Sequence, residues 1–170
     1  MLTLHGMKIM WMVVVGVSCA LAACGGDDGG GTAAMATSPL TGLAGATVTG
    51  TGTFVQGAPD TAADSVTLTL TINGCVDTKV YGAHIHQGSA CTDNTTQGGH
   101  WDTTRGEGIP SITCSGTTGT TTINRAATDA TIAWSVGGAA ATDVIGHVIV
   151  VHDPDTATTR IACGVIAAAP

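Results

Sequence analysis

The strongest constraint on the fold is an alternation of threonine with aliphatic residues in the middle of the chain. Between residues 66 and 72, valine, leucine and isoleucine occupy every second position, and threonine occupies the positions between them. This period of two is typical of a strand with one buried face. From residue 46 onward, similar short runs are separated by glycine, asparagine and aspartate, without helical periodicity. The pattern predicts an all-β antiparallel sandwich or barrel of seven or eight strands.

The same pattern assigns the expected strands and one long loop. Residues 89–108 are polar and contain glycine, which predicts a loop of the length that usually carries function. Residues 109–115 and 120–125 are expected to pair, and Trp134 is expected to anchor the core. The predicted strands cover residues 46–56, 64–72, 79–87, 109–115, 120–125, 131–136, 143–152 and 159–166.

The first 45 residues are expected to lie outside the folded domain. Residues 1–23 have the basic start, the apolar run and the small-residue end of a secretory signal peptide. Leu-Ala-Ala-Cys at its end resembles the lipobox of bacterial lipoproteins, so we expect Cys24 to be lipidated; an ordinary signal peptide cut nearby is the alternative. Residues 24–45 are mostly small and polar, which predicts a flexible tether. Residues 46–170 are then one domain, exported and lipid-anchored on the periplasmic or outer-membrane face of a bacterial cell.

The charge balance restricts the partners. The whole chain has a formal net charge of −7, and removal of residues 1–23 leaves 4 basic and 12 acidic residues, a charge of −8. An acidic chain without a Lys/Arg cluster argues against a nucleic-acid partner. It also repels an anionic substrate unless a local positive group intervenes. The sequence does not indicate an oligomeric state.

Four cysteines remain once Cys19 and Cys24 are set aside. An even number of cysteines in an exported domain favours two disulfides over free thiols. Four cysteines allow three pairings, and their spacing does not select one. The remaining cysteines are Cys75, Cys91, Cys114 and Cys163.

Two histidines two residues apart indicate half of a metal site. If residues 79–87 form a strand, His84 and His86 point to the same face while Ile85 points to the other. The long loop contributes His100. His147 and His152 are an odd number of residues apart, so they fall on opposite faces unless a bulge intervenes, and His152 is the better placed of the two. Three or four neutral imidazoles without a thiolate suit copper or zinc.

Several short motifs resemble the Cu/Zn superoxide dismutase family. They occur in the family's order and span about residues 46–166, effectively the whole predicted domain. The resemblance implies a Greek-key β-barrel of immunoglobulin-like architecture that acts on superoxide. The motifs are Gly-Ala-His-Ile-His at residues 82–86, Cys91, Gly-His-Trp at 99–101, Gly-His-Val-Ile-Val-Val-His at 146–152 and Arg-Ile-Ala-Cys-Gly-Val-Ile at 160–166.

The resemblance also implies roles for individual residues. Cys91 and Cys163 match the disulfide that attaches the active-site loop to the last strand, which leaves Cys75 and Cys114 as a second pair. Arg160 matches the arginine that guides superoxide toward copper, and a permanent cation suits that task in an acidic protein. His147 replaces a residue that is usually arginine, and we expect it to face outward without binding metal. The matches to the copper ligands are His84, His86, His152 and His100, the last being the histidine that bridges copper and zinc in the family.

Two departures from the family indicate a copper-only variant. Between Trp101 and Ser111 there is no histidine, and only Asp102 and Glu107 have ligand atoms suited to zinc. A closed zinc site needs four protein ligands, so we expect copper and no zinc. The family's long electrostatic loop is also missing, because only residues 153–159 separate His152 from Arg160. In place of zinc, Glu107 is the expected partner of the second nitrogen of His100, with Asp102 as the alternative.

These residues are compatible with three functions. Copper-dependent dismutation of superoxide to oxygen and hydrogen peroxide is favoured, because a metal carrier has no use for the anion guide Arg160. The alternative is a non-catalytic lipoprotein that buffers or delivers copper on the same fold. An adhesive β-sandwich would require all four ligands to be accidental.

Overall fold

A computed structural model describes residues 33–57, 65–102, 104–126, 129 and 131–170 of the chain. The predicted signal peptide and Cys24 lie outside these residues. No helix in the described part has the length and apolar character needed to cross a membrane. The elements are β1 Met35–Gly42, β2 Thr49–Gln56, β3 Val66–Asn73, β4 Val80–Tyr81, β5 Ala83–His86, α1 Asn94–Gln97, β6 Ile112–Thr113, β7 Thr118–Arg125, β8 Val148–His152, β9 Arg160–Val165 and β10 Ala167–Ala168.

The strands form a curled antiparallel sheet, so the predicted all-β fold of the superoxide dismutase type is confirmed. The strand order is β5-β8-β9-β1-β2-β3-β7, with β10 paired to β1, and β4 and β6 form a separate two-stranded sheet. Strand β1 continues the sheet from β2 to β9, pairing with β2 from Met35 to Leu40 and with β9 at Thr41 and Gly42. Strands β5 and β7 are left at the two ends of this order.

The prediction of a tether over residues 24–45 is wrong for Met35–Gly42, which is β1. Ala36, Ser38 and Leu40 alternate along this strand and are at most 3% exposed. Small side chains gave the segment the composition of a linker, but its backbone forms hydrogen bonds with three other strands, β2, β9 and β10. The small residues also allow close packing, because Gly164 of β9 lies against Ser38 and Leu40.

Two further predictions differ from the structure. Residues 131–136 are turns with a single bridge between Ser135 and Asp143, although Trp134 is 1% exposed and packs edge-on against Phe54, as expected of a core anchor. Residues 109–115 do not pair with residues 120–125, and the bridge nearest to the expected pairing joins Ser115 to Thr118. Strand β6 instead pairs with β4, and β7 pairs with β3 along its whole length.

The sheet packs the core on its inner face and carries the histidines on its outer face. Ile85, Ile149 and Val151 belong to the main core cluster, which also includes Phe54 and Trp134. Val148, Val150 and Cys163 form a second small cluster on the other face of the same strands, with Leu43 and Cys91 packed against it. The outer face of β5, β8 and β9 is therefore covered by the long loop that begins at residue 87.

Candidate metal centre

Strand register brings three histidines to one face of the sheet. In the β5–β8 pair, His84 lies opposite Val150 and His86 opposite Val148. Residues opposite each other in an antiparallel pair project to the same face. His152 is two residues beyond Val150 on β8, so it shares this face with His84 and His86.

His100 reaches the same place because its loop pairs with the free edge of β5. Trp101 N donates to the carbonyl of Ile85 (2.8 Å), Ile85 N donates to that of Gly106 (2.8 Å), and Gln87 N donates to that of Gly99 (2.9 Å). These bonds place His100 directly opposite His86. The one-turn helix α1, capped by Asp93, lies within the same loop.

The four imidazoles form one cluster. The ligand atoms of His84, His100 and His152 lie within 4.8 Å of one another. The rings of His84 and His100 are stacked with centroids 4.3 Å apart, and His86 lies 4.9 Å from His100 and 5.6 Å from His152. The structure therefore brings together all four histidines that the sequence singled out, three of them as a tight group with His86 beside it.

The free nitrogens of the cluster suit a metal ion. His86 Nδ1 donates to the carbonyl of Gly98 (3.0 Å), which leaves Nε2 as a buried acceptor without a hydrogen-bond partner among the described residues. His84 Nδ1 is likewise buried and has no partner in that part of the chain. Both ring nitrogens of His152 lack a hydrogen bond of good geometry within the described residues. Buried polar atoms are nearly always paired, so several unpaired nitrogens converging on one point favour a cation that they coordinate together.

Burial keeps the imidazoles of His84, His86 and His152 neutral, the form that binds a metal. It lowers the pKa of His86 to about 4, against the opposing effect of the Gly98 hydrogen bond. It also lowers the pKa of His152 to about 4, with His84, His100 and Arg160 acting in the same direction. The pKa of His84 is lowered by burial and by the proximity of His100.

Glu107 and Asp102 have different surroundings. Glu107 Oε1 accepts a hydrogen bond from His100 Nδ1 (2.6 Å), and this bond lowers the pKa of the Glu107 carboxyl. Burial alone raises the pKa of Asp102, but hydrogen bonds from Arg105 and Thr104 outweigh it and lower that pKa. The Asp102 carboxylate thus stabilises its own turn, whereas that of Glu107 contacts the cluster.

Arg160 lies beside the histidines because of a bulge in β9. Val151 pairs with Ala162 but His152 pairs with Arg160, so Ile161 is the extra residue and Arg160 shares the face of His152. Its guanidinium donates to the loop at three points: Nη1 to the Asn94 carbonyl (3.0 Å) and to Gln97 Oε1 (3.1 Å), and Nη2 to the Gly98 carbonyl (2.7 Å). It lines a cavity of about 470 Å³ between the loop and residues 43–44 and 158–159.

Two disulfides hold the loops around the sheet. Cys91 is bonded to Cys163, which attaches the start of the long loop to the outer face of β9. Cys75 is bonded to Cys114, which joins the end of β3 to the end of β6. These are the two pairs that the resemblance implied.

His147 differs from its prediction, and two other residues were missed. His147 is half-buried, not outward-facing, because its ring packs against the indole of Trp101 with centroids 4.2 Å apart. Gln97, which is 1% exposed, and Arg125, which contacts the backbone of Glu107, were not singled out from the sequence. Neither carries a sequence signal, because each acts through a contact between distant parts of the chain.

The fold and the histidine cluster define a β-barrel protein with a centre suited to copper. A family model described as copper/zinc superoxide dismutase (SODC) matches residues 48–166. The chain belongs to this family. A search of curated proteins found no match.

Proposed function

We propose that this protein is a copper-dependent superoxide dismutase that uses one copper ion and no zinc. The observation that carries the proposal is the convergence of four imidazoles, three with ligand atoms within 4.8 Å, next to a guanidinium held by three hydrogen bonds. The reaction converts two superoxide ions and two protons into oxygen and hydrogen peroxide.

A bound copper ion would supply the one-electron redox chemistry that the reaction requires. His84 Nδ1, His86 Nε2, His100 Nε2 and one nitrogen of His152 are the proposed ligand atoms. The Gly98 carbonyl and the Glu107 carboxylate fix the protons of His86 and His100 on Nδ1. This assignment of the ring protons leaves both Nε2 atoms free to bind the ion.

Arg160 is the proposed anion guide. Superoxide approaches a protein of charge −8 after removal of residues 1–23, so a fixed cation beside the histidines raises the local concentration of the substrate. His100 is exposed at the rim of the cluster. When its Nε2 is not bound to the ion, that nitrogen is therefore the proposed atom that takes a proton from water and transfers it to the product.

The proposal of copper without zinc is supported by the surroundings of the loop acids. Within the described residues, the group of three or more possible ligands close enough to hold a metal is the histidine cluster itself. Asp102 is engaged by Thr104 and Arg105, and Glu107 by His100. These loop carboxylates already have partners without a second metal.

A superoxide dismutation assay on the mature, copper-loaded chain tests the activity. We expect copper-dependent turnover that disappears in His152→Ala. Arg160→Met is expected to lower the rate about 10-fold and to weaken its dependence on ionic strength. Lys79→Met is the matched control, because it removes the same charge from an exposed ion pair with Asp155. Tight copper binding without turnover would instead favour a copper buffer or delivery protein.

The proposed location is the outside of a bacterial inner membrane or the outer membrane, with a lipid on Cys24 as anchor. Metabolic labelling with palmitate in a bacterial host tests this part. We expect label in the wild-type chain and in Cys19→Ser, whose substitution lies within the signal peptide. Cys24→Ser should lose the label and move to the soluble fraction. Label that persists in Cys24→Ser would reject the anchor.

A further inference from the structure

The backbone of Glu107 is held by a side chain from the far end of the sheet. Arg125, the last residue of β7, donates from Nη2 to the Glu107 carbonyl at 2.7 Å. Arg125 and Glu107 are 18 positions apart in the sequence. The carboxylate of the same Glu107 accepts the hydrogen bond of His100. One residue thus connects the end of β7 to the histidine cluster.

The backbone next to Glu107 leaves room for the Arg125 guanidinium. Gly108 has φ of +77°, and a Cβ atom at this position would overlap Arg125 Nη2. Glycine alone adopts this conformation without strain and leaves the space that Arg125 fills. The conformation of residues 107–108 and the position of Arg125 therefore depend on each other.

Trp134 fixes the other side of the same segment. The Arg125 guanidinium lies over the Trp134 ring, 5.3 Å from its centroid. Trp134 Nε1 donates to the Arg105 carbonyl at 2.9 Å. Trp134 is itself buried against Phe54. Arg105 and Glu107 have one residue between them. Their carbonyls are consequently bound by the side chains of Trp134 and Arg125, which pack against each other and, through Trp134, against the core.

We infer that Arg125 is a positioning residue of the metal centre, which orients Glu107 so that its carboxylate meets His100 Nδ1. This inference rests on the proposed copper site. A carboxylate that supports a ligating histidine acts only when its distance and direction are fixed. In this chain, the contact of Arg125 and Trp134 with the loop provides that rigidity.

A double-mutant cycle on copper affinity tests the inference. The mature protein is titrated with Cu(II) in competition with a chromophoric chelator. We expect Glu107→Gln to weaken binding about 10-fold, in the range found for residues that support metal ligands. Arg125→Met should weaken it by several-fold, and the double variant should bind no more weakly than Glu107→Gln alone. Asn124→Ala is the matched control, because its amide contacts Ser65 and Thr67 on the outer face of β7; it should leave copper affinity unchanged.

Two outcomes would overturn the inference: unchanged copper affinity in Arg125→Met, or losses in the two single variants that multiply in the double variant. Arg125→Lys keeps a cationic donor at the same place, so it should restore most of the affinity. Urea unfolding of each variant ensures that folded proteins are compared. Because the titration requires no turnover, an inactive protein that still shows the coupling would reject the dismutase proposal and retain this inference.

Discussion

The amide oxygen of Gln97 accepts a hydrogen bond from Arg160 Nη1 at 3.1 Å, although the two residues are 63 positions apart. Gln97 is 1% exposed and its own backbone is bound by Asp93 and Gly88. Arg160, the proposed anion guide, is therefore held by a buried amide. That amide belongs to the loop that also carries His100, so the position of the Arg160 guanidinium and the position of a proposed copper ligand depend on the same segment.

Gln97→Met should weaken anion binding at the centre. It removes the acceptor and keeps the approximate volume, so the guanidinium loses one of its three fixed contacts. We expect the affinity of copper-loaded protein for azide to fall by several-fold in a spectroscopic titration. Gln97→Glu should lower it further, because a carboxylate in this place neutralises Arg160. The exposed Gln87 provides a control, and an equal loss in Gln87→Met would show that the effect is not specific to the Arg160 contact.

Glu107→Gln and Asp102→Asn should have different consequences. The first is expected to alter the copper spectrum and to lower copper affinity, because it changes the partner of His100. The second removes charge-assisted bonds from Thr104 and Arg105, so it should lower the free energy of unfolding by about 1–3 kcal/mol. Electron paramagnetic resonance and urea unfolding separate the two effects. A copper spectrum changed by Asp102→Asn and unaffected by Glu107→Gln would instead identify Asp102 as the acid that supports His100.

The metal-free protein should lose stability as the pH falls from about 6.5 to about 4. His86 and His152 have a pKa of about 4 in the folded protein, whereas an unfolded histidine has a pKa near 6.5. Between these two pH values the unfolded chain binds more protons than the folded chain, so acid favours unfolding. The free energy of unfolding that the two neutral histidines contribute is fully present above pH 6.5 and is lost as the pH falls to about 4. Urea midpoints measured between pH 4 and 8 test this. The double variant His86→Gln/His152→Gln should show a flatter profile, and an equally steep one would contradict the prediction.

The Cys75–Cys114 disulfide should affect stability more than copper binding. It closes a loop over a sequence separation of 39 residues, for which chain entropy predicts about 4 kcal/mol. We expect Cys75→Ala/Cys114→Ala to lower the free energy of unfolding by an amount of this order while copper affinity stays near that of the wild type. Cys91→Ala/Cys163→Ala is the comparison, because that bond attaches the loop of His100 to β9. It should reduce copper affinity as well, and a similar copper-affinity loss in both pairs would be inconsistent with this distinction.

The sequence predicts the strand face of the site well, because local periodicity determines it. His84 and His86 share a face through their spacing of two, and His152 joins them through its position on a hydrophobic strand. Ile85 and Ile149 fill the opposite face in the same way. These relationships require only that the segments are extended and paired.

Other parts of the site depend on contacts that periodicity does not encode. The bulge at Ile161 turns Arg160 toward His152, and nothing in the residues around it indicates the extra position. Residues 79–87 look like one strand, but Gly82 separates β4 from β5, which pair with different partners. Strand β1 was missed because Ala36 and Ser38 are too small to give a hydrophobic signal, although their alternation is present.

The described residues 99–102 and 104–106 of the long loop also complete the sheet. Their hydrogen bonds occupy the outer edge of β5, which would otherwise present unpaired N–H and C=O groups beside His84 and His86. Exposed edges of this kind recruit strands from other molecules, and proteins usually cover or charge them. The segment that carries His100 covers this edge. Any event that releases the segment would therefore expose an unpaired, aggregation-prone strand edge and also separate His100 from the other histidines. We therefore expect copper occupancy and resistance to aggregation to be linked in this chain.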